Sequence, residues 1–144
     1  METQKINREK TCPLLLRCFY KHDTNHVATD YKNAAVGILP TQEVQIYTWP
    51  DATMREIVDL LKDVVLPGQA KQRNSAFDIS LVYPDRNGDH KLRQLAHINL
   101  TRQGNDDNKT LCELKFETGD YLDIAIVSGR GTSPRYRGGR GGGY

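Results

Sequence analysis

Cys18, His22 and His26 recur every four residues, and a thiolate with two imidazoles is a donor set that zinc accepts. That spacing gathers side chains on one face only in a helix, whereas the residues around Cys18 alternate as a strand does. A closed structural site also needs a fourth ligand, for which Cys12 is the one neighbour in the sequence. The residues therefore read as Cys18 in a core and both histidines in a polar loop, with no metal. Asp85, Asn87 and Asp89 in "DRNGDH" open like a calcium-binding loop, but His90 stands where such a loop needs glycine and Ala96 where it needs a bidentate glutamate. A hairpin turn through Asn87-Gly88 remains. Asp106 and Asp107 are adjacent carboxylates in a stretch rich in glycine and asparagine, with no apolar wall to lift a pKa as acid–base catalysis requires. Nothing in the chain matches a nucleophile elbow, a phosphate-binding loop or a dinucleotide fingerprint. The chain reads as a non-enzyme without a cofactor.

Without a catalytic cluster, function has to reside in surfaces, and those are set by the elements that carry them. In "CPLLLRCFY", Leu14, Leu16, Cys18 and Tyr20 alternate with Leu15, Arg17 and Phe19, which predicts a strand over 14–20. The next stretch, 21–42, is too long for a hairpin loop and is expected to be an insertion with a short helical turn around Asp30 to Ala35. A second strand follows, with Val44, Ile46 and Thr48 opposed to Gln45, Tyr47 and Trp49, and Pro50 ends it. The period then changes. Met54, Ile57, Val58, Leu61, Val64 and Val65 recur at helical spacing, with Thr53 as N-cap, Glu56 reaching back in a capping box, and Pro67-Gly68 as the stop. "FDISLVY" sets Phe77, Ile79, Leu81 and Tyr83 against Asp78, Ser80 and Val82, and "HKLRQLAHI" is its hairpin partner across Asn87-Gly88. "LCELKF" is short and ambiguous, and "GDYLDIAIV" is a last strand with Leu122, Ile124 and Ile126 inward. Two strands, one helix and three strands predict an α+β domain of the β-grasp type, ubiquitin-like, with the helix over one face of a mixed sheet and the final strand in the middle beside the first.

A chain of 144 residues holds one core. The expected division is a polar lead over 1–10, an interaction domain over 11–127 and a disordered Arg/Gly-rich tail over 128–144. No run approaches the ~18 apolar residues of a membrane span, the start is charged, and three cysteines at irregular spacing fit a reducing compartment, so the chain is expected in the nucleus or cytosol with no membrane partner. The formal charge is +2, yet Arg130, Arg135, Arg137 and Arg140 all lie in the tail beside no acid, so subtracting those four from +2 leaves −2 for the remainder. A mildly acidic domain does not bind DNA by charge alone. In the tail, Arg130, Arg135, Tyr136, Arg137 and Arg140 combine charge with stacking rings, which suits RNA contact. "RYRGG" there also resembles the conjugating terminus of a ubiquitin-type modifier, but the glycines run on past Gly139, which makes this the weaker reading.

Three segments in order, "REKTCPLLLRCF", "QIYTWPDAT" and "GDYLDIAI", resemble the small Sin-associated polypeptide family, the eighteen-kilodalton subunit of the Sin-three histone deacetylase corepressor, over a span from about Asn7 to Val127. The insertion and the tail look divergent. The resemblance implies a ubiquitin-like interaction module that is not conjugated. It also implies a place in the corepressor and in the apoptosis- and splicing-associated complex, with Acinus or Pinin and an RNA-binding protein with a serine-rich domain as partners, and an effect on transcriptional repression and mRNA splicing. From the alternation itself, the sheet face away from the helix should carry Leu15, Arg17, Phe19, Tyr47, Tyr121 and Asp123, with Trp49 near the edge. Left uncovered, that face is an apolar patch of the kind that binds partners, with Arg17 and Asp123 paired across neighbouring strands. The alternative is that the insertion folds over it.

Overall fold

The structure, a computed structural model, describes residues 6–65 and 75–127. The helix stop at Pro67-Gly68, the "RYRGG" stretch and the tail residues Arg130, Arg135, Tyr136, Arg137 and Arg140 lie outside the described residues. Alternating apolar residues build a five-stranded mixed sheet in the order β2-β1-β5-β3-β4, from β1 (Leu14–His22), β2 (Glu43–Thr48), β3 (Ala76–Pro84), β4 (His90–Asn99) and β5 (Tyr121–Val127). Only β1 and β5 run parallel, with Arg17 opposite Tyr121 and Phe19 opposite Asp123; the other pairs are antiparallel. The final strand lies beside the first in the centre of the sheet, as a ubiquitin-like α+β domain requires.

Helix α1 (Met54–Val65) lies over one face, burying Met54, Ile57, Val58, Leu61 and Val65 against Leu16, Cys18, Phe77, Ile79, Leu81, Leu122 and Ile124. The Thr53 hydroxyl accepts the Glu56 N–H at 3.1 Å, as an N-cap should. The second half of the expected capping box differs: the Glu56 carboxylate is held by Arg8 at 2.9 Å instead. The first helical N–H groups go to a loop, Met54 to the Lys109 carbonyl and Arg55 to that of Asp107. Asp107 is thereby buried, and its carboxylate accepts from Arg55 at 3.0 Å. The expectation that Asp106 and Asp107 lie in a Gly/Asn-rich loop without an apolar wall is corrected for Asp107, which is buried because the helix end needs those acceptors.

In the hairpin, the Asp85 carboxylate accepts the N–H groups of Asn87 and Asp89, while Gly88 takes a φ of 89°. The calcium-like triad is an Asx turn. A β-bulge breaks the β3–β4 register between Ile79 and Ser80, which lets consecutive residues Leu95 and Ala96 both reach the helix-side core. "LCELKF" is a single helical turn. Thr110 and Glu113 cap one another reciprocally, and the turn closes with Phe116 N–H to the Leu111 carbonyl and Lys115 N–H to that of Cys112, with Lys115 at a φ of 65°.

Candidate partner-binding site

The insertion between β1 and β2 forms two short 3-10 turns, Ala28–Tyr31 and Ala34–Val36, where one turn around Asp30 to Ala35 was expected. It crosses the sheet face opposite α1. Tyr31 packs on both Phe19 and Tyr121, with ring centroids 5.7 and 6.1 Å away, and Leu39 packs on the same cluster. Beneath it, Asp123 is fully buried. Its carboxylate accepts from the Tyr31 hydroxyl, from the His26 ring at 2.7 Å and backbone N–H at 3.0 Å, and from the Asn25 amide at 3.0 Å. Burial pushes the Tyr31 hydroxyl well above the ordinary tyrosine range, and the adjacent Asp123 charge pushes it the same way, so it stays a donor.

Two expectations are corrected here. Phe19 and Asp123 are not on an uncovered face, since the insertion buries both completely. Arg17 does not pair with Asp123: register places it beside Tyr121, and its guanidinium binds Glu43 at 3.0 Å while lying 5.6 Å over the Tyr121 ring. Hydrogen bonding to Arg17 holds the Glu43 carboxyl below its ordinary value. His26 is not simply a loop residue, because Asp123 fixes it on this face, whereas Cys18 faces the helix-side core. The sheet lies between the two.

What stays open is the β1–β2 end of the face. Leu15 and Tyr47 are direct cross-strand partners, 37% and 66% exposed. Arg17 and Glu43 flank them as a half-buried pair. Tyr121 is half-buried under Tyr31 and His90. Trp49, just beyond β2, donates its indole N–H to the Thr11 carbonyl at 2.8 Å and lies under the Arg8 guanidinium, which also bonds Asp51. Of the seven residues expected on one surface, Leu15 and Tyr47 form an exposed pair flanked by the half-buried Arg17, Tyr121 and Trp49 are half-buried rings, and Phe19 and Asp123 are buried.

The model of the Sin3 associated polypeptide p18 (SAP18) family matches residues 5–126. The chain belongs to the SAP18 family. Relatives include proteins named histone deacetylase complex subunit SAP18 from Arabidopsis thaliana, 46% identical over 85% of this chain and 80% of the relative, and from Drosophila melanogaster, 40% identical over 88% and 81%. The Homo sapiens protein of that name is 40% identical over 85% of this chain and 78% of its own length. The matched SAP18 span takes in all five strands but the last residue of β5, together with the helix and the whole insertion.

Sequence reasoning about this SAP18 chain missed the Asn25–His26–Tyr31 clamp on Asp123. An aspartate among the apolar residues of "YLDIAIV" was the available signal, since a carboxylate on a central strand has to find donors. It also missed Arg8, which sits in the polar lead yet ties Trp49, Asp51 and Glu56 together.

Proposed function

We propose that the chain is a non-catalytic adaptor subunit of a nuclear histone deacetylase complex, holding partners at the surface of Leu15, Arg17, Tyr47 and Trp49. Family membership carries the reading: relatives from plant, fly and human bear the name of a histone deacetylase complex subunit. The geometry supports it in kind. Asp123, His26, Asp107 and Arg55 are committed to structural hydrogen bonds, and an apolar pair, Leu15 and Tyr47, faces solvent at the β1–β2 end of the sheet. The same adaptor role extends to Acinus or Pinin and to an RNA-binding protein with a serine-rich domain, linking repression to splicing and exon-junction assemblies. The tail arginines serve as an accessory RNA contact.

The test is affinity purification of the tagged full chain from nuclear extract, read by mass spectrometry, beside a chain lacking 128–144. Deacetylase-complex subunits are expected with both, and RNA crosslinks with the full chain alone. Loss of the protein partners on deleting the tail overturns the adaptor reading in favour of an RNA-binding protein that recruits them indirectly.

A further inference from the structure

We propose that the polar cavity between the start of the insertion and strands β3 and β4 is a binding site for the guanidinium group of an arginine side chain.

The sheet builds this cavity on the face away from α1, on the β3–β4 side. Phe77, Ile79 and Ile98 turn toward the helix-side core, so alternation sends Asp78, Ser80 and His97 the other way. Ala125 of β5 joins them as the register partner of Asp78, and the bulge between Ile79 and Ser80 sets Gln94 opposite Ser80. Asp23 follows the end of β1. Its N–H donates to the Ile126 carbonyl at 2.9 Å, and a φ of 75°, which aspartate tolerates, turns the chain into the insertion. Asn25 then ties the insertion to the sheet, since its amide nitrogen donates to the Asp78 carbonyl at 3.2 Å and to the Asp123 carbonyl at 3.1 Å. The space these residues line measures about 520 Å³, the size of a ligand pocket.

Its chemistry is one-sided. Asp23 and Asp78 both line it, and no Lys or Arg does among the described residues. Asp23 forms no ion pair among those residues. Asp78 meets the His97 ring through Oδ1 alone, which leaves its Oδ2 unengaged. Lys21, set beside Ala125 by register, pairs with neither acid, whereas Asp106 outside the cavity is neutralised by Lys109 at 2.7 Å. Between the acids and the sheet lies Ser80, only 6% exposed, which borders the cavity and whose hydroxyl has no hydrogen-bond partner among the described residues. The Asn25 side-chain oxygen is also unengaged, because that amide bonds through its nitrogen.

Two incompletely neutralised carboxylates beside neutral acceptors call for a cation that carries several donors. A metal ion does not fit, because no three His, Cys, Asp or Glu side chains converge among the described residues. A guanidinium does fit: its N–H donors lie in one plane and meet a carboxylate and neighbouring neutral acceptors together, where an ammonium acts as a point charge. Two sources can supply it, an arginine of a partner segment or one of Arg130, Arg135, Arg137 and Arg140 in this chain, whose tail begins three residues after Ala125. The site goes beyond the adaptor reading and is separate from the Leu15–Tyr47 patch, because Phe19 stands between Leu15 and Asp23 along β1.

The probe is the peptide acetyl-Gly-Arg-Gly-amide, added to the full chain labelled for NMR and to the full chain carrying Arg130→Gln, Arg135→Gln, Arg137→Gln and Arg140→Gln. Saturable shifts are expected at Asp23, Asn25, Ser80 and Gln94. The same peptide with citrulline, which keeps the shape and loses the charge, should bind at least about tenfold more weakly. Asp23→Asn and, separately, Asp78→Asn should each weaken binding by about threefold or more, with the fold checked by circular dichroism, and asparagine tolerates the positive φ at position 23. Asp59→Asn, on α1 across the sheet, should leave it unchanged. Cavity signals that already differ between the two chains without peptide, at every concentration, support the site with the chain's own arginine as occupant; signals that move only on adding peptide support it with an arginine from outside. The site is overturned by absence of saturable shifts in both chains, by shifts centred elsewhere, or by unchanged affinity in the folded Asp23→Asn chain. Equal binding of the citrulline peptide, or of acetyl-Gly-Lys-Gly-amide, overturns guanidinium as the group recognised.

Discussion

Asp123 is the residue on which the insertion hangs. A carboxylate in the centre of a sheet carries a large desolvation cost, and four donors from Asn25, His26 and Tyr31 offset it. Tyr31→Phe keeps the ring packed on Phe19 and Tyr121 but removes one charge-assisted hydrogen bond. The expected cost is about 1.5–3 kcal/mol in denaturant unfolding, with faster hydrogen exchange confined to the insertion and its β5 contacts; an unchanged midpoint means the hydroxyl adds nothing. Glu43 gives a pH-dependent case. Its folded-state carboxyl is held down, chiefly by the Arg17 hydrogen bond, so the stability it contributes is complete above the ordinary glutamate value near about pH 4.3 and is lost as pH falls through the lower folded value. Urea midpoints for the parent and Glu43→Gln should differ modestly at pH 7, by under about 1 kcal/mol for a pair still partly open to solvent, and converge on acidification. A difference that widens toward low pH contradicts the pairing. Neither network was legible in the sequence, because both join residues far apart in the chain, whose meeting depends on the course of the insertion for Asp123 and on the β1–β2 register for Arg17 and Glu43.

At the scale of elements, periodicity carried far. The alternation of β1, β2, β3 and β5 and the apolar stripe of α1 were readable because each element buries one face, and burial writes a period of two or of about 3.6 into the residues. Where side chains turn back on their own backbone the pattern is lost, as in the single turn at Leu111 to Phe116, whose signal was the Thr110–Glu113 spacing and not hydrophobicity. The bulge in β4 likewise puts Leu95 and Ala96 on one face against simple alternation. Helical spacing assigns Val64 to the buried stripe, yet it stands exposed with Leu60. For α1 the two contributions, cap and core, separate cleanly. Thr53→Ala removes the oxygen that accepts the Glu56 N–H and should cost about 1 kcal/mol. Leu61→Ala opens a cavity beneath the helix and should cost about 2–5 kcal/mol. Thermal unfolding of both variants checks the order, and equal small effects would show that loop contacts at Asp107 and Lys109 hold the helix more firmly than its own packing.

The whole molecule is a sheet covered twice, by α1 on one side and by the insertion on part of the other. That division decides which aromatic residues are structural and which are available. Phe19 and Tyr47 belong to the same sheet face by alternation, and nothing local to either distinguishes them; the insertion does, because it crosses β1 and β5 near Tyr31 and leaves the Leu15–Tyr47 end of the face open. Phe19 touches Tyr31 and Tyr121 edge-on at 5.7 and 5.3 Å. Its replacement by serine therefore removes a ring from a packed cluster and leaves a hydroxyl beside it, which should cost at least about 3 kcal/mol. Leu15→Ser with Tyr47→Ser removes side chains that are 37% and 66% exposed, so the melting transition should move much less than it does for the fully buried Phe19. Circular dichroism melts and recovery of deacetylase-complex subunits, measured on the same preparations, tell the two roles apart. Phe19→Ser should lower the melting temperature and lose partners in proportion to unfolding, whereas the double variant should stay folded and lose them outright. Full recovery of partners by a folded Leu15→Ser, Tyr47→Ser chain would remove this patch from the adaptor surface.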